Sequence, residues 1–244
     1  MPPEFALLSL VTDHAEHAAM RESFARGGFC ETTTETLIID NTRGNQADAY
    51  RGYARLIALA RAPLLILAHQ DLRLLRDDAA TLRARLADLD ARDPAWALAG
   101  NAGGLADGSL AIRITDPHGA DQRVGALPAR AASLDENFIV LRRVAGIGFS
   151  APLSGFHLYG ADLCLDACAK GRSAWVIDFH LQHLSGGRVD AAFLAAEAAF
   201  EAHWSGRIPG LDRLRTTCTT LDLRPGWLPR LGAGWRRARR RRRL

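Results

Sequence analysis

No stretch of the 244 residues approaches the roughly 18 consecutive apolar residues that a bilayer-crossing helix requires. The opening Met1-Pro2-Pro3-Glu4 lacks the basic segment that begins a secretory signal. Both absences lead to the expectation of a cytoplasmic protein. Cysteine is scarce. Cys30, Cys164, Cys168 and Cys218 are scattered along a chain too large to depend on disulfides, so reduced thiols are expected. Cys164 and Cys168 can share a helix face, but two thiolates do not complete a zinc site. A net positive charge is also lacking outside one segment. The formal net charge is +4, yet Arg236, Arg237 and Arg239 to Arg243 carry seven positive charges, which leaves −3 for the rest. That balance argues against a globally basic nucleic-acid-binding surface.

What the chain does have is a 48% apolar composition, ample for a continuous core, and an alternation of short apolar runs with amphipathic stretches. Phe5 to Val11 reads as a strand, followed by a helix reaching Phe24 and stopping at Gly27-Gly28. Thr36 to Ile39 reads as the second strand and Ala47 to Arg61 as an amphipathic helix broken by Pro63. Leu64 to Ala68 has the unbroken apolar character of a strand buried on both faces. A helix carrying Leu82, Leu86 and Leu89 ends near Pro94, and Trp96 to Ala99 is a fourth strand. Ala111 to Thr115 and Gln122 to Ala126 bracket a hairpin turn, and Phe138 to Leu141 is a further strand. Helices are expected over Ala161 to Ala169 and Ala191 to Trp204, with a late strand at Ala174 to Phe179. Strands taking turns with helices predict a mostly parallel sheet. Gly100, Gly103 and Gly104 read as a plain turn, because their spacing is not a dinucleotide fingerprint.

In an open α/β sheet, ligands collect where strands end in their loops. That rule selects Asp40 and Asn41 after the second strand, His69 and Asp71 after the third, and His180 and His183 after the late strand. Asp135, Glu136 and Asp162 lie on neighbouring segments. Carboxylates and imidazoles together suit a divalent cation such as Mn²⁺ or Mg²⁺, which would also hold phosphate oxygens. His180 and His183 differ by three, so a strand would send them to opposite faces and one at most reaches a shared site. The choice is His183, because Ser185-Gly186-Gly187 after it can approach a phosphate.

The runs Leu37-Ile38-Ile39-Asp40-Asn41, Leu64 to Asp71, Leu134 to Arg143, Gly155 to Leu165 and His183 to Gly187 together resemble family 2 glycosyltransferases, in the branch related to the streptomycin-biosynthesis protein StrF. The resemblance covers roughly residues 5 to 204. It implies a GT-A fold, the Rossmann-like α/β fold of nucleotide-diphospho-sugar transferases, with a mostly parallel central sheet and flanking helices. It further implies an inverting transfer from a nucleotide-diphosphate sugar, commonly a UDP-sugar. On this resemblance Asp40 would contact the base and Asn41 would line its pocket. His69-Gln70-Asp71 is similar to the Asp-x-Asp signature, with Asp71 on the metal and His69 beside it or the ribose. His183 would complete metal or diphosphate binding, Asp135 would sit near the sugar with Arg142 and Arg143 close in sequence, and Asp162 would be the catalytic base. Ala161 and Arg51 depart from the residues frequent in relatives.

The implied organisation is a transferase domain over residues 1–204, an extension over 205–235 and an arginine-rich, disordered tail over 236–244. The expected acceptor is a saccharide or a lipid-linked hydroxyl. The tail offers attraction to the anionic inner face of a membrane, which would make the protein peripheral there. No specific nucleic-acid partner is expected. Two other readings stand beside this one: a metal-dependent hydrolase built on His69, Asp71, His180 and His183, and a noncatalytic membrane- or nucleic-acid-binding protein led by the tail.

Overall fold

The computed structural model describes residues 2–187 and 189–226. The arginine tail and its expected disorder lie outside the described residues, as does the end of the extension. The strands are β1 (Phe5–Val11), β2 (Thr34–Asp40), β3 (Leu64–Ala68), β4 (Leu72–Leu74), β5 (Trp96–Gly100), β6 (Ala102–Leu105) and β7 (Leu110–Asp116). They continue with β8 (Gly119–Val124), β9 (Ala129–Leu134), β10 (Phe138–Arg142), β11 (Ser173–Val176), β12 (Leu181–His183), β13 (Arg213–Arg215) and β14 (Thr220–Asp222). The helices are α1 (His14–Arg26), α2 (Ala49–Leu59), α3 (Ala79–Arg92), α4 (Tyr159–Ala169) and α5 (Ala191–Trp204).

Twelve strands form one sheet in the order β2-β1-β3-β10-β5-β11-β9-β6-β7-β12-β4, with β8 on β7. Its parallel pairs are β1–β2, β1–β3, β5–β11 and β7–β12. The remaining pairs are antiparallel. The mostly parallel, Rossmann-like GT-A sheet predicted from the sequence is therefore corrected to a predominantly antiparallel one. The cause is local. Parallel neighbours need a long crossover, usually a helix, and no helix lies between β5 and the end of β10. Strands in that stretch can only turn back on themselves, and β10 inserts antiparallel between β3 and β5.

Alternate residues of the central strands feed two cores. Ala6, Leu8, Leu65, Leu67, Ile139 and Leu141 pack with α2, α4 and α5 on one face. Phe5, Leu7, Ile66, Ala68, Phe138 and Val140 pack with α1 and α3 on the other. Burial on both faces is why these strands read as unbroken apolar runs. The hairpin β13–β14 places Leu214 and Leu221 in the first core, so the start of the extension packs with the body. Gly103 and Gly104 lie within β6, where an added Cβ would meet the carbonyl oxygens of Ser133 at 2.2 Å and Arg215 at 1.9 Å. These glycines are not a plain turn; they let β9 and the extension press against β6.

Candidate active site

Because β1, β2 and β3 run parallel, their carboxyl ends meet along one edge. Gln70 fastens that edge: its Oε1 accepts from the backbone N–H groups of Thr12 and Asp13 at 2.8 and 3.0 Å, and its Nε2 donates to Thr12 Oγ1 at 2.8 Å. Residues 69–71 are thereby held in a fixed turn. The antiparallel pairing of β12 with β4 sets His183 opposite Leu72, next to Asp71. One ligand atom each from His69, Asp71 and His183 falls within 4.8 Å of the others. His183 Nε2 is 3.2 Å from His69 Nδ1, 3.3 Å from Asp71 Oδ1 and 3.1 Å from Ser185 Oγ.

The proton positions in this cluster follow from its neighbours. Tyr159 donates its single hydroxyl hydrogen to the Glu136 carbonyl at 2.8 Å. Its oxygen is 3.0 Å from His69 Nε2, so that nitrogen must be the donor. His69 Nδ1 then carries a lone pair turned toward His183 and Asp71. Burial lowers the His69 pKa to about 4, and His183 adds to the shift, so the ring stays neutral near pH 7. For Asp71, burial pushes upward, but the hydrogen bond and charge of His183 and the hydroxyl of Ser185 outweigh it and hold the carboxyl below its ordinary range. Two imidazoles and an ionised carboxylate, with a hydroxyl fixing the outer nitrogen of one ring, fit a divalent cation. Nitrogen donors suit Mn²⁺ better than Mg²⁺, which prefers an all-oxygen shell.

The cluster opens into a cleft of about 420 Å³. His69, His183, Asp135, Glu136, Phe156 and Val189 are among its lining residues, with Thr217 and Cys218 reaching over from the extension. Asp135 is fully engaged there: Oδ1 accepts from Asn137 N and Nδ2 at 3.1 and 2.6 Å, and Oδ2 accepts from Thr217 Oγ1 at 2.6 Å. Asp40 lies outside this cleft, in a shallow depression with His14, Thr42, Arg43 and Gln46. Hydrogen bonds from Thr42 lower its pKa, and His14 Nε2 stands 3.3 Å away. Asn41 does not line that depression. It is buried, with Nδ2 donating to Ala47 O and Oδ1 accepting from Gln46 and Ala47 N–H, so it staples the loop behind the lining residues.

Asp162 is placed differently from the resemblance. Its neighbour Ala161 lines the cleft, but Asp162 itself is 0% exposed. Oδ2 accepts from Ser150 N at 2.7 Å, and Oδ1 accepts from Ser150 Oγ at 2.7 Å and Trp204 Nε1 at 2.8 Å. Burial raises its pKa against the pull of those hydrogen bonds. In this structure the carboxylate is enclosed and both its oxygens are held by protein donors. His180 is likewise apart, hydrogen-bonded through Nε2 to Thr115 Oγ1 at 2.9 Å, so the four-ligand hydrolase set is not assembled. Arg51 pairs with Asp48 on its own helix. Arg142 sits at the end of β10 remote from Asp135, with its guanidinium over Trp96. Sequence reasoning missed Tyr159 and Thr217. A buried tyrosine hydroxyl needs a partner, which was the available signal for Tyr159; none marked Thr217.

No family model matches the chain. The protein named ATP synthase subunits region ORF 6, from Fuscovulum blasticum, is 36% identical over 195 residues, covering 78% of each chain. Among solved structures, a Pyrobaculum calidifontis mannosyltransferase in complex with GDP-Man and Mn²⁺ is similar, with a TM-score of 0.52 and 8% identity. This chain spans 62% of that structure's length, and the match covers 83% of this chain. Residues 1–349 of S. aureus TarS in complex with UDP-GlcNAc match with a TM-score of 0.53 and 12% identity, over 82% of this chain and 66% of that one. The fold is thus shared with glycosyltransferases, while the finer assignment to family 2 rests on the sequence resemblance. By sequence, the chain belongs to the family of the Fuscovulum blasticum ORF 6 protein.

Proposed function

We propose that this member of the family transfers a sugar, with inversion, from a nucleotide-diphosphate donor to a hydroxyl acceptor, with a divalent cation held by His69, Asp71 and His183. The observation that carries the reading is the convergence of those three side chains beside a cleft that His69 and His183 line, in a fold shared with sugar transferases. The cation would neutralise charge on the departing diphosphate. His69 and His183 contribute ring nitrogens, Asp71 an anionic oxygen, and Tyr159 fixes the His69 tautomer. A UDP-sugar is the favoured donor, with Asp40 at the base and Asp135 beside the sugar. At the cleft mouth Phe156 and Val189 remain 39% and 38% exposed, which favours an acceptor with an apolar portion, such as a lipid-linked saccharide. Cytoplasmic residence, with the arginine tail against an anionic membrane face, is part of the same proposal.

The test is thermal shift with UDP, GDP and dTDP, each with and without Mn²⁺, followed by release of nucleotide diphosphate from the matching sugar donors. The reading expects stabilisation by nucleotide only with the cation, and slow Mn²⁺-dependent donor hydrolysis. Indifference to every nucleotide and cation combination would remove it.

A further inference from the structure

An inverting transfer needs a proton acceptor open to the cleft, and Asp162 and Asp135 both have their oxygens engaged by protein donors. Glu136 also lends Oε1 to a backbone donor, but no side chain among the described residues holds its carboxyl. The residue follows β9, lines the cleft, and is neither fully buried nor fully exposed. Helix α4 begins behind it with Leu158 at its N-terminal boundary, in the left-handed region at φ 65°, offering no side-chain cap. The first N–H groups of a helix have no partner within the helix. Glu136 Oε1 faces them, 3.4 Å from Gly160 N. Among the described residues, the hydrogen bonding to this carboxyl comes from backbone N–H groups at the start of α4, with no Arg, Lys or side-chain hydroxyl joining. Glycine at position 160 permits the approach: an added Cβ would meet Leu134 O at 2.6 Å and Glu136 Cγ at 3.3 Å.

We propose that Glu136 is the general base of the transfer reaction, seated on the α4 N-terminus and facing the cleft in the place that Asp162 has left by turning inward. The inference rests on the sugar-transfer reading. In the step, the acceptor oxygen bonds to the anomeric carbon while the bond from that carbon to the diphosphate oxygen breaks. The leaving electron pair departs with the diphosphate. The acceptor's hydroxyl proton passes to a Glu136 carboxylate oxygen and from there to solvent once product leaves. Burial and the adjacent Asp135 raise the Glu136 pKa to about 8, giving a stronger proton acceptor than an exposed carboxylate. The N–H groups of α4 oppose that rise without cancelling it, and the carboxyl is ionised above that pH.

The test uses the full chain with Mn²⁺ and the fastest-hydrolysed of UDP-glucose, UDP-N-acetylglucosamine and GDP-mannose, taking water as the acceptor. Wild type, Glu136→Gln and Asp162→Asn are compared for donor hydrolysis, for calorimetric binding of the matching nucleotide with Mn²⁺, and for turnover in sodium azide. Azide attacks without giving up a proton, so it bypasses a missing base. The expected result is that Glu136→Gln lowers hydrolysis roughly 10²-fold or more, binds nucleotide and Mn²⁺ within a few-fold of wild type, and regains turnover with azide as the inverted glycosyl azide. Hydrolysis retained in Glu136→Gln, a loss that azide does not restore, or azide-restored loss in Asp162→Asn would each overturn the assignment. Wild type that neither binds nucleotide nor hydrolyses any donor would instead overturn the sugar-transfer reading, and this assignment with it.

Discussion

Asp71 and Asp162 are both aspartates that the sequence marks for chemistry, and the structure treats them in opposite ways. Asp71 stands on a turn at the end of β3, ionised, facing two imidazoles beside the cleft. Asp162 stands in the first turn of α4, locked by Ser150 and Trp204 with no exposure. The difference teaches that a motif position conveys which side chain is present, whereas the direction of that side chain is set by what packs around it. One carboxylate stands in a cluster whose chemistry fits a cation, and the other joins α4, α5 and the loop at Ser150 into one core.

The sharpest way to break this contrast is Asp71→Asn, which removes the anionic ligand. Mn²⁺-dependent donor hydrolysis should fall roughly 10²–10³-fold, read as nucleotide release; near-normal turnover would end the metal assignment. Next in size is the cation itself. After chelator treatment, Mn²⁺ at a hundred times its dissociation constant should stabilise the fold by about 2.7 kcal/mol in a thermal-shift scan, with Mg²⁺ giving less and Asp71→Asn giving none. For the other aspartate, Asp162→Asn sets an amide donor against the Ser150 and Trp204 donors. A loss of about 2 kcal/mol is expected from denaturant midpoints, and unchanged stability would show that the enclosed carboxylate is no anchor. Tyr159→Phe keeps the ring but removes the acceptor for His69 Nε2–H, so Mn²⁺ affinity by calorimetry should drop about tenfold. The smallest effect concerns pH. The folded pKa of Asp71 is depressed, so its contribution to the metal-free fold is present above about pH 4 and is lost as pH falls below that value. Acid titration should therefore show a steeper stability loss for wild type than for Asp71→Asn.

Much of the framework was legible because burial on both faces leaves a plain mark. The runs Phe5 to Val11 and Leu64 to Ala68 are strands with the bounds read from the sequence, and Asp40, His69 and Asp71 do stand where strands end. The separation of His183 from His180 does not come from alternation along a strand, because His180 lies between β11 and β12 and only His183 belongs to β12. The direction of β10 was misread, although the evidence was present: nothing helical separates Gly100 from Arg142, and without a crossover strands reverse. The short strands β4, β12, β13 and β14 went unseen, because three residues give no periodicity to detect. With them went the role of the extension, whose Thr217 reaches Asp135 across 82 positions of sequence.

By itself the sequence determined which chemical groups were available and which segments had to be buried, since apolar patterning and strand ends are local properties. Only the tertiary structure decided that His183 comes beside Asp71 through the β4–β12 pairing, that Asp162 turns inward, and that Glu136 remains at the cleft. Each of these depends on contacts between residues distant in the chain, where packing and hydrogen-bond satisfaction choose among orientations that a local pattern leaves equal.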